Sequence, residues 1–137
     1  MRTIVVFEGA DRAGKTTALK MFNRATDYRY TCIDRLFVSS AVYDKKFKRT
    51  DCLAELHRAA FSLSSFFNVC FVLVLGTKSR MHKYYRDQEL FKDAYQGFLE
   101  DCGNRCDFLV IRNTGTKREL LENVLLLADF VRGNVYN

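Results

Sequence analysis

The stretch GADRAGKT, from Gly9 to Thr16, constrains this chain more than any other part of its sequence. It fits the pattern G-x-x-x-x-G-K-[ST], in which a glycine-rich turn directs backbone N–H groups toward phosphate oxygens. Such a loop requires a strand before it and a helix after it. Residues 3–7 (TIVVF) form an apolar, β-branched run typical of a buried parallel strand, and residues 17–24 predict a helix. The sequence therefore predicts a phosphate-binding loop.

The positions of this loop have distinct expected parts in binding ATP. Lys15 is expected to reach the β- and γ-phosphates, and the hydroxyl of Thr16 is expected to hold Mg²⁺. Arg12 lies inside the loop, where it could neutralise charge on a transferred phosphoryl group, although a solvated loop arginine fits the same pattern. The residues predicted to bind ATP are Gly9, Ala10, Asp11, Arg12, Ala13, Gly14, Lys15, Thr16 and Thr17.

Length and composition indicate one domain, residues 1–137, with 48% hydrophobic residues from which to build a core. No apolar stretch reaches the ~20 residues of a membrane span. The apolar run after Arg2 ends at Glu8 and does not form a signal peptide, so we expect a cytoplasmic protein. The net charge of +6 suits anionic partners, nucleotides and nucleic acid alike. The five cysteines contain no C-x-x-C pair and are expected to be reduced packing residues.

Strand and helix patterns alternate along the rest of the chain. Three further strands are predicted, at residues 28–33, 70–75 and 107–111. Helices are predicted over residues 36–47 and 89–102. Another is predicted to begin at an N-cap, Asp51, and to carry an apolar face as far as Phe67. A last helix is predicted to follow a capping box at residues 116–119. This alternation predicts an α/β protein with the three-layer P-loop NTPase fold. Its parallel sheet is expected to have four to five strands, with helices on both faces.

Asp34 and Arg35 follow the second predicted strand, at the same sheet edge as the loop. The Asp34 carboxylate could hold Mg²⁺ through water, and Arg35 could bind a phosphate through two parallel hydrogen bonds. A surface ion pair would show the same two residues. Asp11 could meet an acceptor sugar, and Glu8 could join the Mg²⁺ shell or pair with an arginine. These positions predict a second anion subsite beside the loop.

Residues 78–87 carry Lys78, Arg80, His82, Lys83 and Arg86 after the third strand. A mobile lid that closes over a bound nucleotide and excludes water has this composition. A solvated charged loop has it as well, and the sequence leaves both interpretations open.

The residues named so far resemble the thymidylate kinase family of P-loop nucleoside monophosphate kinases. Residues 7–17 (FEGADRAGKTT) resemble its F-E-G-x-D-x-x-G-K-[ST]-T signature, with the catalytic arginine in the P-loop at Arg12. Residues 34–44 (DRLFVSSAVYD) resemble its D-R-Y-x-x-S-x-x-A-Y-Q motif. The resemblance implies an ATP-dependent transfer to dTMP or a related monophosphate, with Mg²⁺ held by Thr16 and Asp34. It implies catalytic roles for Arg12, Lys15, Asp34 and Arg35, and acceptor contacts by Asp11, Arg35, Ser39, Tyr43 and Asp44.

The chain also departs from that family. It contains no proline, so it lacks the Arg-Glu-Pro motif and the associated segment of the acceptor site, and it is a shortened member by this measure. Asp44 stands where the family has a glutamine, and an ionised carboxylate accepts hydrogen bonds but cannot donate them. Two alternatives therefore stay open, a nucleotide-binding regulatory module without phosphoryl transfer and a kinase acting on polynucleotide 5′ ends. Under the kinase interpretation the expected partners are ATP, a nucleoside monophosphate and a second copy of the chain, without nucleic acid.

Overall fold

A parallel four-stranded sheet forms the centre of the molecule, which a computed structural model describes over residues 2–49 and 51–135. The strands are β1 (Thr3–Glu8), β2 (Thr31–Asp34), β3 (Asn68–Leu75) and β4 (Asp107–Arg112), in the order β2-β1-β3-β4. β1 and β3 lie in the interior of the sheet and are buried along almost their whole length. All four carboxyl ends therefore meet at one edge, where the chain leaves β1 into the glycine-rich loop.

Helices cover both faces of the sheet. One face carries α1 (Lys15–Ala25) and α6 (Lys117–Val135), which pack against each other, and the other carries α2 (Phe37–Lys46), α3 (Leu53–Leu63) and α5 (Asp87–Cys102). A short helix α4 (Lys78–Met81) and a 3₁₀ turn (His82–Tyr84) connect β3 to α5. The prediction of a three-layer α/β fold with four parallel strands is confirmed. Over the described residues, no helix has both the length and the apolar character of a membrane span.

The core is aromatic where the helices meet the sheet. Phe7 of β1 meets Phe22 of α1 edge to face at 5.7 Å between ring centroids, and both are fully buried. On the opposite face Phe71 stacks on Phe108, which in turn contacts Tyr95. Burial on both faces explains why the interior strands consist of uninterrupted apolar runs. It also holds the carboxyl ends of β1 and β3 in place.

β2 begins at Thr31, so the prediction of a strand from residue 28 was wrong at its start. Asp27 and Tyr28 adopt left-handed backbone with φ of 54° and 56°. The N–H of Tyr28 donates to the carbonyl oxygen of Asn23 at 2.8 Å, which closes the end of α1. Tyr28 and Tyr30 favour a strand by their intrinsic propensity, but the turn that ends the preceding helix overrides that preference.

The two predicted helix caps are only partly correct. Asp51 accepts a hydrogen bond from the N–H of Leu53 at 3.0 Å, but it precedes the cap position, which is Cys52. At α6, the hydroxyl of Thr116 accepts from the N–H of Glu119 at 3.2 Å, as a capping box requires. The carboxylate of Glu119 instead accepts from the hydroxyl of Thr114. A side-chain oxygen near each predicted cap therefore does accept a backbone hydrogen bond, but at α3 the cap residue itself is one position later than predicted.

The apolar face predicted up to Phe67 extends beyond its helix, because α3 ends at Leu63. Ala60 is the buried residue of this helix, whereas Phe61 and Phe66 are exposed. The expectation that this surface meets a second copy of the chain stays a prediction.

The five cysteines are free thiols, as expected, and Cys70, Cys102 and Cys106 are buried. Burial raises the pKa of Cys32 to about 11 and that of Cys106 to about 12. Thiols with such pKa values stay protonated near neutral pH and are poor nucleophiles or metal ligands. They serve as packing residues.

Candidate functional site

The glycine-rich loop connects the end of β1 directly to the first turn of α1. Gly14 is the N-cap residue, with left-handed backbone at φ 98°, and a side chain there would collide with the side chain of Asn113. Over residues 2–49 and 51–135 no side chain caps α1, and its first turn contains no acidic residue. The N–H groups at the start of α1 are therefore left open to an anion, as phosphate binding requires.

Asn113 fixes the loop from behind, although it belongs to none of the motifs found in the sequence. Its side-chain Nδ2 donates to the carbonyl oxygen of Ala13 at 3.0 Å, and its backbone N–H donates to the carbonyl oxygen of Leu75 at 2.7 Å. The residue is only 3% exposed. Its one sequence signal is a polar residue immediately after an apolar strand, at the edge where ligands bind in such sheets.

The turn after β3 supports the loop from a second side. Gln88 of α5 clamps Gly76, accepting from its N–H at 2.8 Å and donating to its carbonyl oxygen at 3.2 Å. A Cβ atom on Gly76 would lie 3.0 Å from Ala13 Cα, so a larger residue would press on the loop. The loop thus rests on residues that are distant in sequence.

A cavity of about 470 Å³ opens in front of the loop. Four cationic side chains reach its wall, from Arg12, Lys15, Arg35 and Arg80. The predicted ATP-binding residues that line it are Ala10, Asp11, Arg12, Gly14, Lys15, Thr16 and Thr17. Gly9 and Ala13 are buried behind the wall and shape the loop through their backbone. This concentration of positive charge around a helix N-terminus suits a polyphosphate.

Two ion pairs connect the loop to the corner after β2. Lys15 Nζ contacts the carboxylate of Asp34, and Arg35 Nη2 contacts that of Asp11. Asp34 is half exposed, so solvent and ligands can reach it. The structure thus brings two residues of the loop against two residues that lie about 20 positions further along the chain.

Tyr43 holds the guanidinium of Arg35 from α2. Arg35 Nη1 donates to the hydroxyl oxygen of Tyr43 at 2.8 Å, and its Cζ lies 5.5 Å from the centre of the ring. Burial alone would lower the pKa of Arg35, but the hydrogen bond with Asp11 and the nearby Tyr43 and Asp34 raise it above its ordinary value. Arg35 Nε is buried and has no hydrogen-bond partner within the described residues. The guanidinium is therefore charged and held in one orientation.

Ser39 and Asp44, both predicted to bind an acceptor, lie elsewhere. Ser39 is buried, and its hydroxyl donates to Glu8 at 2.6 Å. Asp44 lines a second cavity, of about 490 Å³, between α2, α3 and α5. Of the predicted acceptor residues, Asp11, Arg35 and Tyr43 thus form one connected group, and Ser39 and Asp44 do not join it.

Within the described residues Glu8 has no arginine partner, so the expected ion pair was wrong, and Glu8 does not line the cavity where Mg²⁺ is expected. Its carboxylate is fully buried at the end of β1 and accepts hydrogen bonds from the first residues of α2. Burial raises the pKa of Glu8, while the hydrogen bonds from Ser39, Leu36 and Val38 oppose that rise.

Residues 78–87 contact the rest of the protein at a few positions, while most of their side chains are exposed. Met81 is fully buried, and Arg80 lines the cavity. The ring of Tyr84 lies 5.8 Å from Arg12 Cζ, and Asp87 pairs with Lys46 of α2 at 2.8 Å. The segment therefore lies beside the cavity and is anchored at Met81 and Asp87, and its closure as a lid stays a prediction.

The residues at the cavity fit the demands of Mg²⁺. This ion is usually held by one or two carboxylates together with substrate phosphates and water. Thr16 faces the cavity, and Asp34 supplies one accessible carboxylate beside it. In the described part of the chain there is no cluster of three or more histidine, cysteine, aspartate or glutamate side chains that could bind a metal unaided. A metal at this site would therefore need oxygens from a bound phosphate.

Comparisons with protein-family models, with curated proteins and with solved structures found no match to this chain.

Proposed function

We propose that the protein is an ATP-dependent nucleoside monophosphate kinase, similar to thymidylate kinases, that transfers the γ-phosphoryl group to dTMP or a related deoxynucleotide. The observation that carries this proposal is the arrangement of Arg12, Lys15 and Arg35 around one cavity at the N-terminus of α1. A site that only held a nucleotide would need the loop and Lys15. A second arginine subsite across the cavity is what a phosphorylated acceptor would require in addition.

In this mechanism the loop and Lys15 hold the donor phosphates, and Arg35 holds the acceptor phosphate. Arg12 neutralises the charge that develops on the transferred group, and Arg80 approaches from residues 78–87 to exclude water. Thr16 and Asp34 would hold Mg²⁺, and the ion would supply positive charge to offset the negative charge of the phosphates. The ion pairs Lys15–Asp34 and Arg35–Asp11 keep these groups in place until phosphates replace their partners. Phosphoryl transfer needs mainly such positioning and electrostatic stabilisation.

The decisive experiment measures transfer from ATP-Mg²⁺ to each of dTMP, dUMP, dCMP, dGMP and dAMP. Transfer to dTMP above the rest is the expected result. Transfer to another base would keep the kinase and change its acceptor. Bound ATP without transfer to any acceptor would overturn the proposal in favour of a regulatory nucleotide-binding module, and 5′-hydroxyl oligonucleotides would then be tested with salt-dependent binding as the readout.

Replacing Arg35 by alanine is expected to raise the KM for the acceptor monophosphate far more than the Kd for ATP. Loss of the hydrogen bonds between this arginine and the charged phosphate is expected to weaken acceptor binding by about 10- to 100-fold. Steady-state kinetics with both substrates varied would measure the two effects separately. Arg29→Ala serves as the control, because Arg29 is exposed before β2, at the opposite end of the strand. Equal loss of both affinities would contradict the role given to Arg35.

A further inference from the structure

Glu8 stands at the junction between β1 and the glycine-rich loop, and its carboxylate is enclosed completely. Its Oε1 accepts from the N–H of Leu36 at 3.2 Å and from the hydroxyl of Ser39 at 2.6 Å. Its Oε2 accepts from the N–H of Val38 at 2.8 Å and from the N–H of Ser39 at 3.3 Å. All of these donors belong to the start of α2, about 30 residues further along the chain.

Glu8 therefore caps a helix to which it does not belong. The cap position of α2 is Leu36, which offers no side-chain acceptor, and no nearby side chain in the described part of the chain replaces it. The first N–H groups of a helix lack partners within the helix. In this fold a carboxylate from the neighbouring strand supplies the acceptors, and its negative charge also suits the positive end of the helix dipole.

The same contacts hold the corner that carries Arg35. This residue has left-handed backbone at φ 67°, which a side chain rarely adopts unless its surroundings enforce it. Its N–H donates to the carbonyl oxygen of Phe7 at 3.0 Å, and the N–H of the next residue, Leu36, donates to Glu8. Two consecutive residues of β1 thus hold the backbone at Arg35 and immediately after it.

We propose that Glu8 is a positioning residue that sets the acceptor arginine, Arg35, in register with the phosphate-binding loop. The inference rests on the proposed function, since it assumes that Arg35 receives the acceptor phosphate. Glu8 is bonded covalently to Gly9, the first residue of the loop, and through hydrogen bonds to the helix that follows Arg35. One side chain therefore relates the two phosphate subsites to each other. Misplacement by about 1 Å can lower a transfer rate 10²-fold, which makes such a link consequential.

The test compares Glu8→Gln with Ser39→Ala. Glutamine has the shape of glutamate, but its NH₂ group would face backbone N–H donors. We expect kcat/KM for the acceptor to fall by about 10- to 100-fold in Glu8→Gln, while ATP affinity, measured by equilibrium binding, stays unchanged. Ser39→Ala removes a single donor to the carboxylate and should lower the same quantity less. Glu55→Gln is the control, because Glu55 is exposed on α3.

A second measurement does not depend on activity. Amide hydrogen exchange at Leu36, Val38 and Ser39 should become faster in Glu8→Gln, with exchange in β3 unchanged. Unchanged exchange, or equal losses of ATP affinity and acceptor kcat/KM, would overturn the inference. If Glu8→Gln fails to fold, Ser39→Ala carries the test, and an unaltered acceptor kcat/KM in that variant would overturn the inference.

The two proposals fail in different ways. A wild-type protein that binds ATP and transfers no phosphoryl group to any acceptor would overturn the proposed function, and this inference with it. An active wild type whose Glu8→Gln variant keeps full acceptor kcat/KM would overturn the inference alone.

Discussion

Lys15→Ala is expected to lower phosphoryl transfer by at least about 10³-fold, since charge stabilisation supplies most of the catalysis in such reactions. Lys15 is 6% exposed, and its Nζ lies at the wall of the cavity beside the helix N-terminus. Among the residues that the structure describes, no other lysine lines that cavity. The measurement is the rate of product formation at saturating ATP and acceptor, together with ATP binding, which should weaken in parallel.

The fold is expected to survive this substitution. Asp34, the partner that Lys15 leaves behind, is half exposed, so water can solvate its charge, and the loss of the pair costs about 1 kcal/mol or less. Thermal unfolding and far-UV circular dichroism check this point. Lys20→Ala is the matched control, because Lys20 lies exposed on the same helix. Full activity in Lys15→Ala would contradict the proposal that the glycine-rich loop binds the phosphates of ATP.

Arg12→Ala is expected to lower kcat by about 10³-fold or more, the effect of removing an arginine that stabilises a transferring phosphoryl group. ATP affinity should change much less, because the loop N–H groups and Lys15 remain. Pre-steady-state measurement of a single turnover would show whether the chemical step itself has slowed. An equal change in the Kd for ATP and in kcat would instead make Arg12 a binding residue.

The backbone at Arg12 allows a second variant that separates charge from conformation. Its φ is 65°, in the left-handed region that glycine adopts without strain. Arg12→Gly therefore removes the guanidinium while favouring the existing loop shape. It should lose as much activity as Arg12→Ala, and Arg12→Lys should lose less because it keeps a positive charge. An active Arg12→Gly variant would contradict a catalytic role for this residue.

The glycine-rich turn between strand and helix, the parallel sheet and its layers could be predicted because their causes are local. Residues 3–7 and 70–75 are apolar runs that only burial on both faces of a sheet can satisfy. The loop pattern places glycine where the backbone must turn sharply and lysine where α1 begins. The predicted start of β2 was wrong because Tyr28, which favours a strand by its intrinsic propensity, belongs instead to the turn after α1.

The residues expected to bind an acceptor do not all lie together in the structure. The position of each residue around its helix decides which way its side chain points. Tyr43 and Asp44 are neighbours in the sequence and were assigned to one subsite. Successive residues of an α-helix are rotated by about 100°, so adjacent side chains cannot face one site together. Tyr43 meets Arg35, whereas Asp44 opens into the separate cavity beside α3 and α5.

Patterns of neighbouring residues are enough to predict the fold class and the loop that is expected to bind phosphate. The contacts that support this loop come from residues far away in the chain and are seen only in the folded protein. Asn113 reaches Ala13 across 100 residues, and Glu8 reaches Ser39 across 31. Such contacts depend on strand order and on helix orientation, which arise when the whole core packs and leave almost no trace in local sequence. The residues of the loop can therefore be identified from sequence, whereas the residues that hold it in place cannot.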